Sequence, residues 1–337
     1  MGKGNVLHEL GLTNDQTKVL FSMQYLLTRA DIYGEKSGEK KVEKRNWLKQ
    51  WSASCEVFLK KQTKDYHLLT TLKSLNSGIE KISKDLANRT PLYLILMETT
   101  FFKPYFKLTV EKDDPYKKLK ITSKAAVDKV LEDFAKDLRI DIEYIERFKV
   151  SLAKSKKGIT GYWKKILIGG TVGTILMAVT AGFAAPLIGG LFAGPGLFGA
   201  AATSAGLAVL GGGAIAAGGM GMAGGIAVIV GGGALLGLGA GGGIGVLFSV
   251  SSEYTLSEAA KFEVVMKEIV IHAQGDIRLA QELIKGQRDS TKQLEEELFQ
   301  LKEDQVENKK KIKILAKSVQ YLRSAIERNE ENILNAA

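Results

Sequence analysis

The sequence predicts an all-α protein in three unlike parts. They are a basic N-terminal helical bundle (residues 1–165), a central Gly-rich apolar segment of transmembrane-type helices (166–252), and a C-terminal arm forming a long coiled-coil helix or hairpin (253–337). Three observations predict this. Apolar residues recur at three- and four-residue spacing through both outer parts, the period of one helical face. The 87 residues 166–252 contain no Asp, Glu, Lys, Arg or His, so every charge lies outside them. Of 37 glycines, 27 fall inside that run. A mean hydropathy near zero is therefore a cancellation between unlike parts, and 45% hydrophobic content excludes a disordered chain.

In the N-terminal arm, Thr13 or Asn14 is a candidate N-cap for a helix carrying Val19, Leu20, Met23, Leu26 and Leu27. The charged stretch 34–45 leads into a second helix with Trp47, Trp51, Val57 and Phe58. A third covers Leu68, Leu72, Leu75, Ile79, Ile82 and Leu86, and Arg89-Thr90-Pro91 breaks it. An apolar segment, 92–106, follows and is interrupted at Pro104. Beyond Pro115, one long stripe runs through Val127, Leu131, Phe134, Leu138, Ile142, Ile145, Phe148 and Leu152. Asp31, Glu35, Glu39 and Glu43 form an acidic ladder interleaved with lysines, which reads as a solvated, charge-mixed surface.

The central run is too long for one membrane span of about 20 residues. Residues 166–185 make the clearest span, and Pro186 and the glycine clusters after it offer breaks for two to four crossings. Its glycines fall in rows. Gly233, Gly237, Gly241 and Gly245 recur every fourth residue; Gly213, Gly221 and Gly225 share a second row with Ala217, and Gly169 and Gly173 form a third. Small residues at this spacing let helix backbones approach closely within lipid, whereas in water each glycine costs a helix about 0.5–1 kcal/mol. The match of 237–242 to a GxGxxG dinucleotide fingerprint follows from glycine density alone, with no βα pattern around it. No GK[ST] follows any of these glycines, which excludes a phosphate loop.

Charge places the run. Residues 1–165 carry a net +12 and residues 253–337 a net −2. Lys156, Lys157, Lys164 and Lys165, with Tyr162 and Trp163, form an expected membrane interface of lysines and amphipathic aromatics. An even number of crossings would leave both arms on one side.

The C-terminal arm keeps a 3,4 apolar seam for 68 residues from Met266, including Leu294, Leu298, Leu301, Ile312, Leu315, Val319, Leu322 and Ile326. Unbroken, it would reach about 100 Å. Gly275, Gly286 and residues 304–308 are candidate breaks, so a self-associating coil and a helix pair packed on the bundle are equal alternatives.

Cys55 is alone, His8, His67 and His272 are far apart, and no nucleophile–base pair, metal cluster or nucleotide motif stands out, so no enzyme activity and no cofactor is expected. The basic arm carries no recognised nucleic-acid module, making nucleic acid an unexpected partner. The N-terminus lacks the apolar stretch of a secretory signal, which predicts synthesis in a cytosol.

Charged helices around an apolar Gly-rich hairpin, followed by a long zipper, resemble the α-helical pore-forming proteins, and the ordering is similar to that of apolipoprotein L. The likeness rests on the run 166–252 and the seam beginning at Met266. It implies a membrane-inserting pore or channel former, a toxin or membrane-disrupting effector, with anionic lipid as partner and a homo-oligomer as product. The arms would lie on the cytoplasmic side, with a soluble form before insertion. The alternative is a constitutive membrane-anchored scaffold that recruits a protein partner through its coiled coil.

Overall fold

Thr13 opens the first helix as an N-cap: its hydroxyl accepts from the Gln16 amide while the Gln16 side chain accepts from the Thr13 amide. The computed structural model describes residues 12–60, 64–84, 89–105, 115–161, 252–303 and 305–336, and these are helical with no strand among them. The helices are α1 (Asn14–Gly34), α2 (Gly38–Lys60), α3 (Leu72–Ser83), α4 (Thr90–Phe101), α5 (Lys124–Asp137) and α6 (Glu143–Thr160). After the central run come α7 (Ser252–Val264), continuing as a π-helical segment (Val265–Ala273), then α8 (Ile277–Glu303) and α9 (Gln305–Leu334). All-α character is therefore established for the described residues. None of their helices is long and apolar enough to cross a membrane. The expected membrane helices, with Gly169, Gly173, Gly213, Gly221, Gly225, Gly233, Gly237, Gly241 and Gly245, lie outside the described residues.

Two helices are central. α1 is buried from Gln16 through Gln24 and is surrounded by α2, α3, α4 and α5. α7 is buried from Ala259 through Met266 and lies among α6, α9 and, through its π continuation, α4 and α8. α4 links the two halves. It is buried at every residue from Thr90 to Thr99, as expected of a helix apolar on all sides. It touches α1 and α5 on one side and α6 and the π segment on another, so both charged arms share one core.

Aromatic rings fill the first half. Trp47 stacks on Trp51 (5.8 Å between centroids), Tyr105 meets Trp47 edge-on at 5.4 Å and Phe102 tilts against Trp51 at 5.4 Å.

Several elements differ from the sequence expectation. Pro91 sits in the first turn of α4 rather than merely ending α3, where its missing N–H is harmless. Leu68 is buried but precedes α3, which begins after the Thr71 cap. The single stripe after Pro115 is divided between α5 and α6 by a turn at Leu138–Asp141, where Arg139 adopts φ 54°. The Met266–Ile333 seam is broken as well. The positive φ of Gly275 (65°) ends the π segment, and Asp276 caps α8 by accepting from the Leu279 amide (2.9 Å). Gly286 remains inside α8.

The acidic ladder is the main correction. Asp31 and Lys44 are fully buried, and Glu35 is 8% exposed. The Lys44 ammonium lies 2.6 Å from Asp31 Oδ2 and 2.9 Å from Glu35 Oε2, and it donates to the Thr122 hydroxyl at 2.8 Å. Asp31 also accepts from the Tyr105 hydroxyl (2.6 Å) and from the amides of Thr122 and Ser123 (2.7 and 2.8 Å). A fourfold acceptor with a matched cation is how a carboxylate survives burial, so the ladder's first two rungs face inward. Glu39 is exposed, as expected of a surface.

Burial alone would raise the Asp31 carboxyl, but Lys44, the Ser123 amide, Tyr105 and the Thr122 amide together hold it below its usual range. The Ser37 amide and Lys44 lower Glu35 to about 2. Both groups thus favour the folded state when ionised. Their contribution is complete above the unfolded carboxylate range, about pH 4–5, and is lost as pH falls toward 2. A thermal midpoint that stays flat from pH 7 to pH 5 and then falls is expected; a midpoint that rises on acidification would contradict the network.

Candidate functional site at the base of the uncharged segment

The described residues that precede the uncharged run end at Gly161, just after α6, and resume at its last residue, Ser252, the first of α7. α6 and α7 determine how that happens. The Tyr144 hydroxyl and His272 Nδ1 share a hydrogen bond of 2.9 Å, and the Arg147 guanidinium donates twice to Glu268 Oε2, at 3.0 and 2.7 Å. Partner numbers that fall on one helix as they rise on the other mean that α6 and α7 run antiparallel. The C-terminal end of α6 and the N-terminal end of α7, which flank residues 162–251, therefore lie at the same end of the bundle.

Buried charge pins this base on three sides. Lys261 of α7 donates to Glu98 of α4 at 3.0 Å, with both side chains about 5% exposed or less. Glu263 accepts both arms of Arg328 from α9, at 2.8 and 2.6 Å. Glu268 in the π segment takes Arg147 from α6. The Thr255 and Ser318 hydroxyls add a buried bond of 2.9 Å between α7 and α9. Arg328 passes so close to Gly158 that a Cβ there would fall on its guanidinium, which explains a glycine in the last turns of α6. The bond to Glu263 raises Arg328 above the usual guanidinium range, and burial raises the Tyr144 phenol to about 12.

α9 runs parallel to α7, since Ser318 meets Thr255 and Arg328 meets Glu263. α8 runs antiparallel to α9: Arg288 pairs with Glu330, Arg323 with Glu295, and the Asn329 amide donates to Gln287 Oε1 at 3.3 Å. The C-terminal arm is therefore a helical hairpin packed on the body. Of the expected seam, Leu294, Leu315, Val319, Leu322 and Ile326 are buried within the chain, and Leu298, Leu301 and Ile312 are half-buried. The polar residues Gln287 and Thr291 of α8 and Asn329 of α9 are buried with them.

Of the expected interface residues, Lys157 is exposed and Lys156 half-buried on the last turns of α6. Tyr162, Trp163, Lys164 and Lys165 lie outside the described residues. Arg147, which precedes the run in sequence, belongs to the Glu268 pair rather than to the lysine cluster. The sequence reading missed the Glu98–Lys261 pin, although Glu98 is the lone charge in an apolar helix and a lone charge there requires a partner. Among the described residues no cluster of His, Cys, Asp and Glu could hold a metal ion. A cavity of about 560 Å³ between α3, α4 and the end of α5 is lined by Lys84, Arg89 and Arg139 together with Glu80 and Asp137. The Arg89 guanidinium is occupied there by the carbonyls of Leu138 and Arg139, both at 2.8 Å. Compared with known protein families, curated proteins and solved structures, the chain matches none.

Proposed function

We propose that this protein inserts its uncharged central run into anionic lipid bilayers and forms a pore or channel, while both charged arms remain together on one side. The observation that carries this reading is the antiparallel α6–α7 base, pinned by Arg147–Glu268 and Glu98–Lys261. A run whose two ends are held side by side must cross a membrane an even number of times. At about 20 residues per crossing, 87 residues suit two or four. The glycine rows supply close helix packing in lipid, and homo-oligomers form through these rows. The hairpin seam is already satisfied within one chain, so the C-terminal arm does not drive assembly in this form.

The test is dye release from vesicles containing phosphatidylglycerol, combined with sidedness. Leakage is expected from anionic vesicles and little from neutral ones. Bound protein that releases no dye at any pH sinks the pore reading and leaves a membrane-anchored scaffold. Cys55 is buried, so a cysteine placed at Lys157 and, separately, at Arg288 reports sidedness through a membrane-impermeant maleimide. Both are expected to be labelled from outside the vesicle. Protection of one and not the other would overturn an even number of crossings.

A further inference from the structure

Asp31 holds together two lysine-bearing stretches that are distant in the chain. It accepts from the amides of Thr122 and Ser123, while the Thr122 hydroxyl accepts from Lys44 and donates to Glu35 Oε2, at 2.8 Å each. The turn from α1 into α2 is thereby fixed against residues 115–123 and the start of α5. Lys36 and Lys40 are exposed on the first stretch, and Lys117, Lys118, Lys120 and Lys124 on the second. Residues 115–124 contain no acid. Asp31 and Glu35 are committed to Lys44, so they neutralise none of the six. Glu39, exposed, and Glu43, half-buried, are the carboxylates beside the first stretch.

This cationic cluster lies at the end of the bundle where α6 finishes and α7 starts. Lys149 of α6 meets Asp128 of α5 at 3.6 Å, and the turn at Leu138–Asp141 joins the two helices. They are therefore antiparallel, and α5 begins beside the later turns of α6. Measured from that pair, Lys124 reaches about 6 Å toward this end and Thr160 about 16 Å. The start of α5 thus stands about 10 Å behind the last turn of α6. The opposite end is balanced: exposed Lys136 and Arg139 stand among exposed Asp141, Glu143 and Glu146.

A leaflet rich in anionic lipid carries a negative potential that decays over a Debye length, about 8–10 Å at physiological salt. If residues 166–252 enter the bilayer, the end of α6 at Thr160 comes within a few residues of the headgroups. Ammonium groups on long side chains about 10 Å behind it then lie inside that field. Because buried bonds fix the two stretches to each other, the six charges act as one surface.

We propose that this basic end, carried by Lys36 and Lys40 and by Lys117, Lys118, Lys120 and Lys124, recognises anionic headgroups and turns the ends of α6 and α7 toward the bilayer. It rests on the membrane-inserting reading above and names the contact that selects the lipid. The variant Lys117→Glu/Lys118→Glu/Lys120→Glu of the full chain is compared with wild type for co-sedimentation with vesicles of phosphatidylcholine and phosphatidylglycerol, across a salt series. The control, Lys136→Glu/Lys267→Glu/Lys285→Glu, changes the net charge equally at exposed lysines away from this end. Each lysine near an anionic surface contributes roughly fivefold, so the first variant is expected to bind about 10- to 100-fold more weakly, with a shallower salt dependence. The control is expected to change binding less than about threefold. Both are exposed substitutions and should keep the wild-type thermal midpoint. Lys36→Glu/Lys40→Glu, on the other stretch, is expected to weaken binding in the same direction.

Equal weakening by the first variant and the control assigns the effect to net charge and overturns the proposal. Unweakened binding by the first variant, or by the pair at 36 and 40, also overturns it, while dye release by wild type keeps the pore reading intact. Wild type that binds but releases no dye removes the pore reading, and the comparison of the variants still decides the contact. A first variant that keeps vesicle binding but loses binding to a short fluorescent DNA duplex assigns this end to nucleic acid and overturns the lipid contact.

Discussion

Replacing Lys44 by Met is expected to destabilise the fold by about 3–5 kcal/mol, because it removes the cation from a buried pair of carboxylates. Asp31 and Glu35 would then face each other across a space that water does not reach, each having lost its short contact to the ammonium. The Tyr105 hydroxyl and two backbone amides would still serve Asp31, but they carry no full charge. For a domain of this size the loss corresponds to a fall in thermal midpoint on the order of 6–20 °C, readable by circular dichroism. The gap between variant and wild type should narrow as pH falls below about 4, since protonation neutralises the stranded carboxylates. A loss under about 1 kcal/mol, or a gap that widens with acid, would mean that water enters and screens the site.

The second large effect concerns the joint between the arms. Lys261→Met is expected to cost about 3–5 kcal/mol by leaving Glu98 charged and buried, whereas Glu98→Met/Lys261→Met should recover most of that loss. The pair joins α4 to α7, so its loss is felt on both sides of a shared core. Far-UV circular dichroism and tryptophan fluorescence, which reports chiefly Trp47 and Trp51 of the first half, should shift together. A fluorescence midpoint that stays in place while the helical signal moves would show that the arms unfold independently.

The legible part of the fold was its periodic part. Thr13, one of two residues offered as the first cap, opens α1, and the stripes of α1, α3, α5 and α6 lie on the core except at Leu72 and Ile142, which are exposed at the starts of α3 and α6. Illegible were the places where a charged residue faces inward, because a single sequence does not show which cation meets which carboxylate. Asp31 and Lys44 are 13 residues apart, and Glu98 and Lys261 are 163 apart. Interleaving lysines made the first pair look like a solvated surface. The seam of the C-terminal arm was visible, but its partner was not. Leu294, Leu315 and Leu322 satisfy a coiled coil between copies and an internal hairpin equally well.

The sequence by itself determined where the apolar material lies: 87 uncharged residues with 27 glycines between two charged helical arms. Composition suffices for that, since burial of a charge in lipid or in a core costs more than a single chain element can recover without a partner. Only the tertiary structure decided that the two arms share one core and that the helix ends flanking residues 162–251 lie side by side. Those facts depend on pairings between distant residues, Arg147 with Glu268 and Thr255 with Ser318, whose geometry exists only after the helices pack.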